Sequence, residues 1–250
     1  MLHILTYNVE FGLRFPEILA WLQEEREESP TAKAATHLPY DILCFQEFPQ
    51  QRIAELHRAF PGYAHQFGSA FVKKGTTYGQ LTFFRSTTLT LIASQRIPFG
   101  QLRREKLLFG ISSDRCGLLT EFSWKTTGQK PQKFLLANIH PSWFTRNTKR
   151  LELFAKTIAA LPDQNESAIL VGDYNYSSLI GKSRLVDFFH AHNFRLANDG
   201  MTTHHVGPIA HQLDYVFVRN FGKVKTHVIE LPYSDHWPVA IDVTQKLATQ

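Results

Sequence analysis

The sequence predicts an α/β fold organised around mixed β-sheets, and three observations carry that reading. Several short runs are continuously apolar, as in Ala168–Ile169–Leu170–Val171, the pattern of a strand buried on both faces. Segments between such runs repeat their apolar residues at helical spacing, as Phe15, Ile18, Leu19 and Leu22 do. The stretch from Tyr63 to Trp124 breaks into short runs separated by Gly, Ser and Thr, which reads as a meander of strands. The chain has 250 residues, 43% hydrophobic with 20 Phe, enough to bury a substantial core. No internal repeat, low-complexity tract or linker interrupts it, so residues 1–250 are expected to form one domain.

Taken in order, Leu2 to Val9 reads as a first strand. The helix after it carries Pro16 in its first turn, where a missing N–H leaves no bond unmade, and Glu24 to Glu28 form its solvated end. Ser29 to Pro39 is polar and alanine-rich and is expected to be a loop. Asp41 to Glu47 is a second buried strand, and Pro49 opens a helix with Ile53, Leu56, His57 and Phe60 on one face. In the meander, Gln80 to Arg85, Leu89 to Gln95 and Gly117 to Trp124 are strands, with Arg103, Arg104 and Lys106 as a basic patch on a surface loop. Phe134 to His140 is a further buried strand. Arg146 to Leu161 is a helix with Leu151, Phe154, Ala155 and Ile158 turned inward and Pro162 as its stop. Leu185, Phe188 and Phe189 mark a short helix, Met201 to His211 a histidine-rich polar loop, and Leu213 to Val218 and Val239 to Val243 the last strands.

Composition narrows the partners. The 27 Lys and Arg against 22 Asp and Glu give a net charge of +5, which permits a phosphate-bearing partner. The two cysteines, Cys44 and Cys116, lack metal-type spacing, and Cys44 sits in an apolar run as a buried free thiol. The first residues lack the basic segment and long apolar core of a secretory signal. No apolar run approaches the roughly 20 residues that span a bilayer. A cytoplasmic monomer with no stable membrane association is expected.

Polar residues suited to chemistry stand at the edges of the apolar runs. Gly172 breaks the central one, and Asp173 and Asn175 follow one residue apart, so extended backbone aims both to the same side beyond the end of a buried strand. Mixed α/β sheets place their ligands there. Asn8, Glu47 and His140 end other runs, Asp214 lies within the first turns of another, and Asp235 and His236 precede the last strand. Each alone has an ordinary structural explanation, since Gly, Asp and Asn form turns and a lone His is commonly a satisfied core residue. Their recurrence along the whole chain argues for one shared site.

The segments Thr6–Tyr7–Asn8–Val9, Phe45–Gln46–Glu47, Asn138–Ile139–His140, Gly172–Asp173–Tyr174–Asn175, Leu213–Asp214–Tyr215 and Ser234–Asp235–His236 follow the order of a known superfamily. From Asn8 to His236 the chain resembles the endonuclease/exonuclease/phosphatase superfamily, the fold of deoxyribonuclease I. The resemblance implies a four-layer α/β sandwich, two stacked mixed β-sheets flanked by helices. It also implies hydrolysis of phosphate esters with Mg²⁺ or Mn²⁺. Such a reaction needs a water aligned opposite the leaving oxygen and neutralisation of the phosphoryl charge. On the family pattern Glu47 is the principal metal ligand, Asp235 completes its shell, and Asn8 orients the ligand or binds the metal's water. Asp173 aligns and deprotonates the attacking water, Asn175 and His140 donate to phosphoryl oxygens, and His236 binds a phosphate oxygen as imidazolium beside Asp214. The set is compatible with one metal or two.

Two departures bear on what covers the phosphate. His211–Gln212 stands before Leu213–Asp214 where many members carry an arginine, and Gly79 to Arg85 replaces a more usual small-and-aliphatic run. His204 and His205 are expected to line the substrate entrance, and Arg103 and Arg104 to contact substrate. The reading that follows is a metal-dependent phosphodiester hydrolase of nuclease type acting on a phosphodiester such as nucleic acid. The rivals are a phosphatase or phospholipase C-like enzyme on inositol phosphates or lipid head groups, and a catalytically inactive binding module. The intact set of acidic, amide and imidazole residues speaks against the last.

Overall fold

The computed structural model describes residues 1–28, 37–101, 103–125, 130–163, 165–176, 179–207 and 209–246. The chain opens with β1 (Leu2–Asn8), α1 (Phe15–Glu28), β2 (Ile42–Pro49) and α2 (Ile53–Ala59). The meander follows as β3 (Tyr63–Lys73), β4 (Thr76–Arg85), β5 (Leu89–Gly100), α3 (Arg103–Phe109), β6 (Ser112–Ser113) and β7 (Arg115–Trp124). Then come β8 (Gln132–Ile139), α4 (Asn147–Ala159), β9 (Ala168–Asp173), α5 (Leu179–His190) and β10 (Arg195–Leu196). The chain closes with β11 (His204–Val206), β12 (Ile209–His211), β13 (Asp214–Arg219), β14 (Val224–Val228) and β15 (Val239–Val243).

Two large mixed sheets result. One runs β14-β15-β1-β2-β4-β3-β6 and the other β10-β13-β9-β8-β7-β5. Only β1 with β2 and β8 with β9 pair in parallel among the ladders of these sheets. Strand alternation sorts the core into layers. Leu2 and Ile4 of β1 meet Phe122, Leu136, Ile169 and Val216 of the second sheet in the seam between sheets. Leu5 and Tyr7 face the other way, against Phe15, Ile18 and Leu22 of α1 and Leu56 of α2. On the far side, Leu135, Leu170 and Phe217 pack against Leu153 and Phe154 of α4 and Leu185 and Phe189 of α5. The order helix, sheet, sheet, helix is the four-layer sandwich that the resemblance implied.

Several local expectations need correction. Arg103 to Lys106 is not a loop: Arg103 and Arg104 open α3, which turns the following Glu105 into the interior. The side chains of Arg103 and Arg104 lie outside the described residues, and Lys106 is exposed. Met201 to His211 is not an irregular loop either, because β11 and β12 pair as a two-stranded ribbon with His204 opposite His211. On α4 the buried residues are Arg150, Leu153, Phe154 and Thr157, and Ala155 is exposed. The helix therefore sits about one residue away from the face expected, and Leu153 takes the place given to Ala155. Of the loop Ser29 to Pro39, residues 29–36 lie outside the described residues. Cys44 and Cys116 are both buried free thiols, as read for Cys44. Among the described residues no helix is long and apolar enough to cross a membrane.

Candidate active site

The two parallel pairs, one in each sheet, end at the same place. Asn8 ends β1, Glu47 lies near the end of β2, His140 follows β8 and Asp173 ends β9. Because β13 runs antiparallel to β9, its first residue, Asp214, stands opposite Asp173. The loop before β15 brings Asp235 and His236 to the same spot, where His236 bridges His204 of the ribbon. The result is a cleft of about 490 Å³ lined by Asn8, Glu47, His140, Asp173, Asn175 and His236, with Asp235 among its other walls. Asp214 lies behind it, bonded to His236.

Local backbone aims these side chains. Gly172 has φ +131°, and a Cβ there would fall 2.1 Å from the Ile139 carbonyl oxygen, so only glycine lets β8 and β9 approach with His140 beside Asp173. Glu47 sits where the β2–β4 register shifts between Phe45 and Phe48, and it adopts φ 55°. A bulge of this kind re-aims one side chain at the price of local strain, here turning the Glu47 carboxylate into the cleft. Asn175 also holds φ 55°. Other non-glycine residues hold positive φ elsewhere, Lys74, Asn193 and Asn220 among them, but at Glu47 and Asn175 the conformation aims a site side chain.

Asp173 is the hub. Its Oδ2 accepts from Asn8 Nδ2 and Asn175 Nδ2, each at 3.1 Å, and its Oδ1 from the Asn175 N–H at 2.8 Å. The same Oδ2 faces His140 Nε2 at 3.4 Å and His236 Nε2 at 3.7 Å. His236 Nδ1 bonds Asp214 Oδ2 at 2.7 Å. Asn8 is engaged at both ends of its amide, since Oδ1 accepts from the Glu10 N–H at 3.1 Å. In this geometry Asn8 orients Asp173; the sequence reading had it orient Glu47 or bind the metal's water. Thr203 Oγ1 accepts from the Leu213 and Asp214 N–H groups, tying the ribbon to the base of the site.

Burial and charge divide the titrating groups. Burial pushes Glu47 up to about 7, against the pull of Arg115. Burial likewise raises Asp173 to about 6, opposed by His236. Burial works to lower His236, but Asp214 and Asp173 overcome it and hold the imidazolium up to about 10. His140 goes the other way: burial, then the Arg115 charge, keep it well below the ordinary imidazole range. His236 is therefore a cation and His140 neutral at pH 7.

The sequence of this cleft has relatives. The sequence profile of the endonuclease/exonuclease/phosphatase family matches residues 5–236. The chain belongs to this family. Comparison with curated protein sequences gives no match. Among solved structures, Bacteroides thetaiotaomicron mannosyl-6-phosphatase Bt3783 is 17% identical with a TM-score of 0.64, covering 98% of this chain and 100% of its own. ANGEL2, a 2′,3′-cyclic phosphatase, is 15% identical with a TM-score of 0.69, covering 96% and 94%. Danio rerio TDP2 complexed with a single-strand DNA product is 13% identical with a TM-score of 0.65, covering 96% and 98%. At these identities the likeness is one of fold. The family is one of phosphoester hydrolases, generally dependent on a divalent metal.

The cleft fits such a metal. Glu47 is nearly buried, its side chain 12% exposed, yet its carboxylate accepts no hydrogen bond among the described residues, and His140 Nε2 stands 3.8 Å away. A buried carboxylate in that position wants a cation. Asp235 adds a second oxygen donor on the cleft wall, and oxygen-only donors suit Mg²⁺ or Mn²⁺. Separately, ligand atoms of His204, Asp235 and His236 lie within 4.8 Å of one another, although His236 Nδ1 is already committed to Asp214.

The structure also places further residues in the cleft, of which sequence reasoning singled out neither Arg115, Glu105 nor Glu10. Arg115, Glu105, Glu10 and Trp143 line it, and Lys73 holds its ammonium 3.6 Å from the Phe11 ring centroid at its edge. Arg115 could have been found, because it stands immediately before the apolar run that begins at Cys116, the position occupied by the other site residues at strand edges. Glu105 could not, since nothing in Arg103–Arg104–Glu105–Lys106 marks one charge as buried. His204, expected at the entrance, does line the cleft, whereas His205 packs its ring 4.5 Å from Trp237.

Proposed function

We propose that this cleft hydrolyses phosphodiesters with the help of a divalent cation, as an enzyme of nuclease type. The observation that carries the reading is the convergence on Asp173 Oδ2 of Asn8, His140 and His236, delivered by three distant segments of the chain, and of Asn175, two residues further on. A structural carboxylate does not need two imidazoles and two amides. A carboxylate that must take a proton from water, in one fixed orientation, does.

In this reading Asn8 and the Asn175 backbone hold Asp173 so that its carboxylate aligns the attacking water and accepts its proton. Burial has brought Asp173 to about 6, close to the working pH at which a general base is most effective. His236, kept cationic by Asp214, binds a phosphoryl oxygen, and neutral His140 donates a second hydrogen bond through Nε2. Asn175 would donate a third as negative charge builds on the phosphoryl group, by releasing one of its two amide N–H bonds, which here go to Asp173 Oδ2 and the Pro141 carbonyl. Glu47 and Asp235 would hold a Mg²⁺ or Mn²⁺, which would supply charge neutralisation for the phosphoryl group. Support for nucleic acid as substrate comes from the net charge of +5 and from Lys73 at the rim.

The test is a hydrolysis screen with Mg²⁺ across DNA, RNA, sphingomyelin and inositol phosphates, with Asp173→Asn as control. Cleavage of DNA or RNA that is lost in the variant supports the proposal. Preferential cleavage of inositol phosphates or lipid head groups would replace it with the phosphatase or phospholipase C-like reading, on the same residues.

A further inference from the structure

In the wall of the cleft lies a buried ion pair that the proposed hydrolysis does not use. Arg115, the first residue of β7, and Glu105, from α3, have side chains 6% and 1% exposed and meet at 2.9 Å. The guanidinium is fixed on three sides. Glu105 Oε1 accepts from Nη2, the Phe71 ring centroid lies 4.2 Å from the guanidinium carbon, and Nη1 stands 3.4 Å from His140 Nδ1. Glu105 is itself held, since Ser142 Oγ, two residues beyond His140, donates to the same Oε1 at 2.6 Å.

We infer that Arg115 is a positioning residue for His140, clamped by Glu105, that holds the imidazole in the tautomer with its proton on Nε2 and its lone pair on Nδ1. A guanidinium has donors and no acceptor, so the ring nitrogen facing it must accept and cannot carry a proton. The other ring nitrogen faces only acceptors, Asp173 Oδ2 at 3.4 Å and Glu47 Oε1 at 3.8 Å. Both sides of the ring therefore demand the same tautomer, and a neutral imidazole can satisfy both at once. The proton on Nε2 points into the cleft, where His140 has a donor for a phosphoryl oxygen. Glu105 keeps the guanidinium from being an unpaired buried charge, which would be strongly destabilising. The contact of His140 with phosphate rests on the function proposed above; the tautomer and its cause do not.

Imidazole ¹⁵N spectra of the metal-free, ¹⁵N-labelled protein test this directly, with His140 assigned as the ring lost in His140→Gln. The expected spectrum shows His140 Nε2 protonated and Nδ1 unprotonated, shifted as a hydrogen-bond acceptor. Arg115→Met should move the Nδ1 signal toward its unbonded position. A proton on Nδ1 in the wild type, or a signal unmoved by Arg115→Met, overturns the assignment; should that variant fail to fold, the wild-type spectrum alone decides. On a phosphoester that the enzyme cleaves, Arg115→Met should lower kcat by about 10–100-fold, the usual scale for a partner behind an active residue, with KM little changed. In His140→Gln the same replacement should cost little more, because the ring it positions is gone. Additive losses would overturn the claim. If no phosphoester is cleaved, the proposed function fails while the spectrum still decides the tautomer.

Discussion

Replacing Glu47 by Gln removes a buried carboxylate that nothing in the chain neutralises well, and the structure sets the size of the effect. In the metal-free protein burial moves Glu47 from 4.5 up to about 7. For an acid this means that the folded state holds the proton more tightly than the unfolded state. Folded protein thus binds more protons across that interval, and stability falls as pH rises through it. The interval spans about 2.5 pH units, and at about 1.4 kcal/mol per unit the loss above pH 7 is roughly 3 kcal/mol. Glu47→Gln escapes this loss. In chelator it should melt at about the wild-type temperature at pH 4 and some 6–12 °C higher at pH 8, using about 2–4 °C per kcal/mol for a chain of this size. Mg²⁺ closes that gap, because a cation bound only by the folded state stabilises it, by about 2.7 kcal/mol at a hundredfold excess over Kd and about 4.1 at a thousandfold, where the order reverses. Wild type should gain that increment and the variant little of it. Paired thermal melts at pH 4 and 8, with chelator and with Mg²⁺, give all four values. A variant less stable than wild type at pH 8 in chelator, or equally stabilised by Mg²⁺, would refute the reasoning.

Other residues give equally direct expectations. His236→Ala should reduce turnover by about 10²–10³ in steady-state assays, the scale for losing one well-placed transition-state donor, with the melting profile still cooperative. The His236 pKa, raised to about 10, means that its pairing with Asp214 and Asp173 contributes stability that is fully present below the ordinary imidazole range and lost as pH rises through 10. Urea melts should therefore show His236→Gln costing stability at pH 6 and little above pH 10. Gly172→Ala forces a Cβ to within 2.1 Å of the Ile139 carbonyl at φ +131°, and should destabilise by at least about 3 kcal/mol in urea unfolding. DNA affinity should fall steeply between 50 and 200 mM salt, and Lys73→Ala should shallow that slope, read by fluorescence anisotropy.

The fold was legible wherever a strand is buried on both faces. Ala168 to Val171 is continuously apolar because both neighbours are protein, and it lies in β9 as read, while Val239 to Val243, interrupted by the part-exposed Asp242, forms β15 as read. The site was legible for the same reason: a polar residue at the end of such a run has no core to enter, so Asn8, Glu47, His140 and Asp173 stood out. What sequence could not show was how near each lies to the others. Asn8 and Asp173 are 165 positions apart, and only the sheet topology brings Asn8 Nδ2 to Asp173 Oδ2. The basic patch misled because periodicity in a seven-residue helix is too short to read, and Glu105 is held in its buried place by partners outside that helix, Arg115 and Ser142 among them. The ribbon β11–β12 escaped because its three-residue strands are polar, held by pairing and by Thr203 more than by an apolar face.

The central claim is that Asp173 and a divalent cation together hydrolyse a phosphodiester in this cleft. Initial rates of hydrolysis of single-stranded DNA, measured for wild type and Asp173→Asn in Mg²⁺ and in excess chelator, address it most directly. Cleavage should occur in wild type with Mg²⁺, vanish in chelator and return when Mg²⁺ is restored, and fall by at least about 10² in Asp173→Asn. Undiminished cleavage in chelator, or an Asp173→Asn variant as active as wild type, would contradict it.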